Sequence, residues 1–174
     1  MFAITERLLL RPGWIEDAAA LTAAIGDREI ARNLARVPWP YTSADAESFL
    51  TQPAHPLRPR FLICLRDSNH IVGGIGLSGD IEAELGYWIA RDHWGRGYAT
   101  EAGHAVIALA DCSLRLPRIK ARRALDNAAS ANVLRKLGFQ PMGKRIWTTS
   151  LARGTMETCL YARERDETSQ ALAA

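Results

Sequence analysis

The sequence predicts a single α/β (α+β) domain, residues 1–174, with a central mixed, mostly antiparallel sheet flanked by helices. Three observations predict it. The runs RFLICLRD, IVGGIGLSG and Ile81 to Ala90 are strand-like and follow one another, the first two joined by a turn at DSNH, as in an antiparallel meander. The period then turns helical from Ala99 to Asp111, directly after a glycine-containing loop. Two late runs, FQPMGKRI and TMETCLYAR, read as a closing strand pair. At 174 residues and 48% hydrophobic content, the chain suits one core.

In order, Arg7 to Arg11 is a short apolar strand stopped by Pro12 and Gly13. Asp17 precedes the alanine-rich AAALTAAI as a helix start. A second short helix, Arg28 to Leu34, is closed by VPWPY, because a proline disfavours helical geometry in the residue before it. Thr42 or Ser43 caps a third helix, ADAESFLTQ, and the proline-rich residues 53–60 form a loop. Between Ala99 and Asp111, Ala102, Ala105, Val106, Leu109 and Ala110 recur at helical spacing, and Pro117 ends the region. RIKARRAL is a strand and NAASANVLRKLG a helix stopped at Gly138. The polar tail from Glu164 is expected to fray.

Composition excludes several classes. The 22 Lys and Arg against 19 Asp and Glu leave a formal charge of +3 without basic blocks, too mild for a nucleic-acid partner. Cys64, Cys112 and Cys159 lack paired metal or redox spacing and read as buried thiols of a reducing compartment. No apolar stretch approaches the roughly 20 residues of a membrane span, and the start has no signal-peptide pattern, so a cytoplasmic location is expected. His93 and His104 have no second ligand at metal spacing, so no metal is expected.

WGRGYAT, residues 94–100, joins the strand LGYWIA to a helix. The first amides of a helix have no internal partners, and the helix dipole adds about half a positive charge there, so such a junction attracts an anion. A tight turn needing positive φ is the plain alternative. A Walker loop is absent, since Gly97, Tyr98 and Ala99 stand where Gly-Lys-Ser/Thr is required, and Thr100 replaces the third glycine of a dinucleotide fingerprint.

Taken in order, TERLLLRP, AELGYWIARDHWGRGYATEA and NAASANVLRKLGF resemble the GCN5-related N-acetyltransferases (GNAT), specifically the branch of ribosomal-protein N-terminal acetyltransferases, over nearly the whole chain to about Tyr161. The resemblance implies the GNAT fold and acetyl-CoA as cosubstrate. The family loop carries Gln or Arg, two residues, Gly, one residue, and Gly or Ala; Gly97 and Ala99 match, while Trp94 departs from the Gln or Arg position. The resemblance implies that Trp94, Gly95, Arg96, Gly97, Tyr98, Ala99 and Thr100 hold the pyrophosphate, mainly through main-chain amides. It implies too that the pantetheine lies between two splayed strands ending near Ala90 and Leu125.

Acetyl transfer from a thioester to an amine needs a neutral nucleophile and a proton for the departing thiolate. Glu84 is the candidate base, sharing a strand face with Gly86, which suggests a bulge or close backbone approach, and with Trp88. The resemblance favours Glu84, because the family's glutamate precedes an apolar residue and Gly-Tyr; Glu82, on the same face, is its rival, and a solvent-facing strand carboxylate is the plain reading. Asn127 either caps its helix or reaches the pantetheine amides. The resemblance implies that Ser130 faces the cofactor sulfur. Leu134 stands where many relatives carry a tyrosine acid, so Ser130 or water supplies the proton. Trp39 and Tyr41, in WPY, correspond to the family's acceptor-pocket segment, whereas Trp14, Trp88 and Trp147 read as core or wall. Glu101 is expected to support its helix N-terminus. The acceptor is a primary amine, peptide or small molecule, and a homodimer is compatible with the resemblance. A non-catalytic coenzyme A sensor, or an acetyltransferase of an amino acid, polyamine or antibiotic, remains the alternative.

Overall fold

The computed structural model describes residues 1–165; of the tail expected to fray, residues 166–174 lie outside the described residues. Glu164 is instead the last residue of a strand, and the Arg165 amide donates to Pro117 O at 2.9 Å.

Eight strands form one sheet: β1 (Ala3–Ile4), β2 (Leu8–Arg11), β3 (Arg60–Leu65), β4 (Ile71–Ser78), β5 (Ala83–Ile89), β6 (Arg118–Ala124), β7 (Gln140–Ser150) and β8 (Gly154–Glu164). Their spatial order is β1-β2-β3-β4-β5-β6-β8-β7, antiparallel throughout except for the parallel β5–β6 pair. That pair is joined by α4 (Tyr98–Cys112), the crossover that parallel neighbours require. The other helices are α1 (Ala18–Ile25), α2 (Arg28–Ala31), α3 (Ser43–Leu50) and α5 (Ala128–Lys136).

Several expected boundaries shift for local reasons. Asp17 does not cap α1 with its side chain: its carboxylate accepts from the Trp14 amide at 2.9 Å and pairs with Arg11. Arg11 is only 4% exposed, so the two charges are retained because they neutralise each other, with both guanidinium bonds at 2.7 Å. α2 stops at Ala31, three residues before the expected end, although the Asn33 and Leu34 amides still bond back to Ile30 and Ala31. Thr42, not Ser43, is the cap of α3, with Asp45 completing a reciprocal box.

Side chains alternate across the sheet, so each face has its own core. On one face Leu8, Ile63, Leu85 and Ile119 pack against Val106 and Ala110 of α4 and Leu134 of α5. On the other, Leu62, Cys64 and Ile71 meet Leu21 and Ile25 of α1, Ile30 of α2 and Ala46 of α3. Each fully buried Leu or Ile is worth about 1.5–3 kcal/mol. Cys64 is buried as expected, but Cys112, on the last turn of α4, is exposed.

β5 and β6 pair only over Ala83–Leu85 with Ile119–Ala121. Beyond that point β5 continues against β4 as far as Ile89, and β6 continues against β8 as far as Ala124. A wedge therefore opens between residues 86–89 and 122–124, where neither strand pairs with the other, although Ile89 O accepts from the Trp94 indole and Ala124 O from Arg123 and the Asn127 amide. Of the bulge or close backbone approach expected at Gly86, the bulge is absent: the β4–β5 register runs unbroken through the Gly76–Gly86 pair. Gly86 is instead the first residue of the open edge, and a Cβ added there meets nothing within 4 Å.

Candidate active site

The wedge ends at the loop that starts α4. Gly95 and Gly97 have φ of +75° and +81°, a conformation other residues rarely adopt, and a Cβ on Gly97 would touch only Arg7 Nη2, at 3.5 Å. Among the described residues the amides of Gly95 to Ala99 make no backbone hydrogen bond. The Thr100 amide is closed onto Gly97 O at 3.1 Å, so the free row ends one residue earlier than expected. This open row of donors at a helix N-terminus has the chemistry to take an anion.

The N-terminal strands hold this loop. Glu101 accepts from the Thr5 hydroxyl at 2.6 Å, the Arg7 amide at 2.9 Å and Arg7 Nε at 2.7 Å. Arg7 Nη1 in turn donates to Arg96 O at 3.0 Å, and its guanidinium lies 4.7 Å from the Tyr98 ring centre. Burial pushes Glu101 up, but the bonds from Thr5 and Arg7 outweigh it and hold its carboxyl below the usual range. Trp94, which stands at the Gln or Arg position of the loop pattern the sequence resembles, donates its indole N–H to Ile89 O at 2.7 Å and ties the loop to β5. The Arg96 side chain has no polar partner among the described residues.

At the narrow end of the wedge, Tyr87 of β5 reaches α5, its hydroxyl 2.8 Å from Ser130 Oγ. Burial pushes the Tyr87 phenol up to about 12, so it remains protonated. Asn127 caps α5 by accepting from the Ser130 amide at 3.0 Å, while its Nδ2 has no partner among the described residues. Leu134 is fully buried in the core.

Glu84 lies on the opposite face. Both its oxygens accept from Arg122, from Nε at 2.8 Å and Nη2 at 2.6 Å. A carboxylate has about four acceptor sites, so half remain open. The bond to Glu84 is the main cause raising the Arg122 pKa above its ordinary value. Glu82 is engaged by Lys120 and, at 3.9 Å, by Arg118, chiefly the Lys120 bond holding its carboxyl below the usual range. On the same face as Glu84, the Trp88 indole lies over Gly74, where a Cβ would come within 2.6 Å of Nε1. Tyr41 and Trp88 both pack against the core that faces α1–α3, and burial pushes the Tyr41 phenol up to about 12. Trp39 stays 40% exposed at the rim. Trp14 and Trp147, expected as core or wall, are largely exposed; Trp147 is on β7, the sheet edge.

The sequence model of the GNAT acetyltransferase domain matches residues 7–140. The chain is 32% identical to the uncharacterized N-acetyltransferase p20 of Bacillus licheniformis over 148 residues, 80% of this chain and 82% of that one. The chain belongs to the GNAT acetyltransferase family. It is an acetyltransferase, acting on an amine. The ribosomal-protein-S5-alanine acetyltransferase of Vibrio fischeri superposes with a TM-score of 0.82 at 19% identity, covering 96% of this chain and 98% of that one. RimL, a ribosomal L7/L12 α-N-protein acetyltransferase solved with coenzyme A, superposes with a TM-score of 0.77 at 18% identity, covering 95% and 99%.

Within this GNAT domain, three residues join the site that the sequence alone did not single out. Arg7 was legible only as part of TERLLLRP, Tyr87 only as part of the Gly-Tyr pair after Glu84, and Arg122 as one basic residue of a strand. Among the described residues no cluster of side chains is arranged to hold a metal, and no helix is long and apolar enough to cross a membrane.

Proposed function

We propose that this GNAT domain transfers acetyl from acetyl-CoA to the α-amine of a peptide or protein N-terminus. The observation that carries the reading is the wedge itself. Its unpaired β5 edge runs from an anion-seeking amide row to a fork that is open at Gly86, and Glu84 faces the fork from the opposite side of the sheet. The residues fit coenzyme A: the amides of Gly95 to Ala99 and the unpaired Arg96 suit a pyrophosphate, and the free Nδ2 of Asn127 suits a pantetheine carbonyl.

Bound acetyl-CoA supplies an activated thioester, whose C–S bond breaks as the amine nitrogen forms its bond to the carbonyl carbon. Glu84 accepts the proton that the amine sheds, through the lone pairs Arg122 leaves free. Ser130 or a water supplies the proton for the departing sulfur; a proton given by Ser130 is replaced from solvent, and the proton held by Glu84 is released to solvent. Tyr87 positions that serine: its protonated phenol lies 2.8 Å from Ser130 Oγ and 3.3 Å from Ser130 O, and with the phenol as donor the serine hydrogen is free for the wedge. Trp39 and Tyr41 border the acceptor side. The α-amine reading is supported by the activities of the two ribosomal-protein acetyltransferases that share this fold.

Thermal shift with acetyl-CoA, ATP and NAD, followed by thiol release with amines present, tests the reading. Stabilisation by acetyl-CoA alone and amine-dependent release of coenzyme A are the expected results. Stabilisation by acetyl-CoA without release in any amine would reduce the chain to a coenzyme A sensor.

A further inference from the structure

α2 bridges the open end of the wedge. At one side Asp27, which caps α2, lies 3.4 Å from Arg91, just beyond β5; at the other, Arg32 donates to Asp126, just beyond β6, at 3.2 Å. The β7–β8 turn is stitched to the same element, since Ser150 Oγ donates to Leu34 O at 2.9 Å and the Leu151 amide to Ala35 O at 3.0 Å. Between α2 and this turn lies a cavity of about 310 Å³ lined by Arg28, Glu29, Arg32, Ala152 and Arg153.

The cavity carries an excess of positive charge. Arg153 donates to Asp126 at 3.0 and 3.4 Å, and Arg32 is shared between Asp126 and Glu29, so two guanidinium groups face two carboxylates. The exposed Arg28 guanidinium has no polar partner among the described residues. Arg32 and Arg153 also keep donors to spare, because a guanidinium has five N–H groups. Three convergent arginines with one unmatched charge suit a carboxylate, which a guanidinium binds through two parallel hydrogen bonds. They repel a polyamine.

We infer that this cavity seats a carboxylate carried by the acceptor a short distance from the amine that is acetylated, and that the preferred acceptors are N-termini followed by Asp or Glu. The inference rests on the acetyl-transfer reading above and narrows it to one substrate class. The cavity lies on the α1–α2 face, opposite α4, so an acceptor held there approaches the fork from the Glu84 side. A free amino acid shares the carboxylate chemistry, but its charge sits beside the amine instead of one or two residues further along the chain.

The test is kcat/KM at low and high salt for amidated peptides that differ only in their second and third residues, both Asp, both Asn or both Lys, with free alanine as a further acceptor. An acidic-over-neutral preference of about tenfold is expected at low ionic strength, shrinking towards parity at 1 M salt, where the screening length is about 3 Å. The preference resides in KM. Arg28→Gln lowers it to about threefold or less, Arg28→Lys retains most of it, and Asp126→Asn, which frees Arg32 and Arg153, increases it. Equal rates for acidic and neutral peptides, or a preference untouched by Arg28→Gln, would overturn this inference and leave acetyl transfer standing. Free alanine used as well as the acidic peptide would move the carboxylate to the amine itself and also overturn it. Absence of transfer to every amine would overturn both readings.

Discussion

Glu84→Gln separates a proton-accepting role for Glu84 from a structural one. The substitution removes one charge and keeps the side chain's size, and its carbonyl still accepts one bond from Arg122. The two side chains are 26% and 37% exposed, so the lost ion pair costs at most about 1 kcal/mol of stability. The kinetic cost is larger. Loss of a general base lowers turnover roughly 10²–10⁴-fold, a barrier increase of about 2.7–5.4 kcal/mol. An α-amine with a pKa of about 7.7–8.0 is about one-fifth to one-third neutral at pH 7.4, whereas a lysine amine near 10.4 is neutral about once in a thousand molecules. The loss is therefore expected to be greater for a lysine-like acceptor by up to about two orders of magnitude, and raising the pH should restore part of it. The assay is thiol release from acetyl-CoA between about pH 6.5 and 9 with a peptide α-amine and a lysine side chain, alongside calorimetric acetyl-CoA affinity. Wild-type turnover in Glu84→Gln with a large loss in Glu82→Gln would transfer the role to Glu82. Wild-type turnover in both would leave deprotonation to bulk water.

Gly97→Val places a β-branched residue at φ +81°, which costs about 1–3 kcal/mol, and its side chain intrudes on the amide row; calorimetry should show at least tenfold weaker acetyl-CoA binding in a folded variant. Unchanged affinity would end the pyrophosphate assignment. Tyr87→Phe removes the bond to Ser130 and is expected to lower kcat about tenfold, or about 1.4 kcal/mol, with acetyl-CoA affinity within about twofold, as steady-state kinetics and calorimetry can check. Asp17→Asn strands the buried Arg11 and should cost about 3–5 kcal/mol in urea unfolding. The bond from Arg11 holds the Asp17 carboxyl below the usual range, so its stabilisation is complete above the unfolded value of about 3.9 and fades as pH falls through the lower folded value. Unfolding of the variant followed over that acid range should lack this component.

The strands of the meander were legible because their apolar runs are bounded by turn residues, and β3, β4 and β5 lie close to their expected limits. The loop at Gly97 was legible because a strand, glycines and a helix are adjacent in the chain. What escaped depends on partners far apart in sequence. Arg7 owes its place to Glu101, 94 residues away, and Tyr87 to Ser130, 43 residues away; neither spacing has a periodic signature. The wedge was expected from family resemblance alone, since nothing in ELGYWI or RIKARRAL marks where two parallel strands cease to pair. The exposure of Cys112 and Trp147 escapes the sequence because residue type does not say which side of a helix end or sheet edge faces water. β7 and β8 run past their expected ends because they continue pairing as far as Ser150 and Gly154.

The most direct measurement is mass spectrometry of a peptide panel incubated with acetyl-CoA, with fragment ions locating the acetyl group and free thiol counted in parallel. One acetyl group on the N-terminal nitrogen per coenzyme A released is the expected result, with acidic second residues favoured and spermidine a poor acceptor. Transfer to spermidine in preference to every peptide would contradict the α-amine assignment, and acetyl-CoA binding without transfer to any amine would contradict the account as a whole.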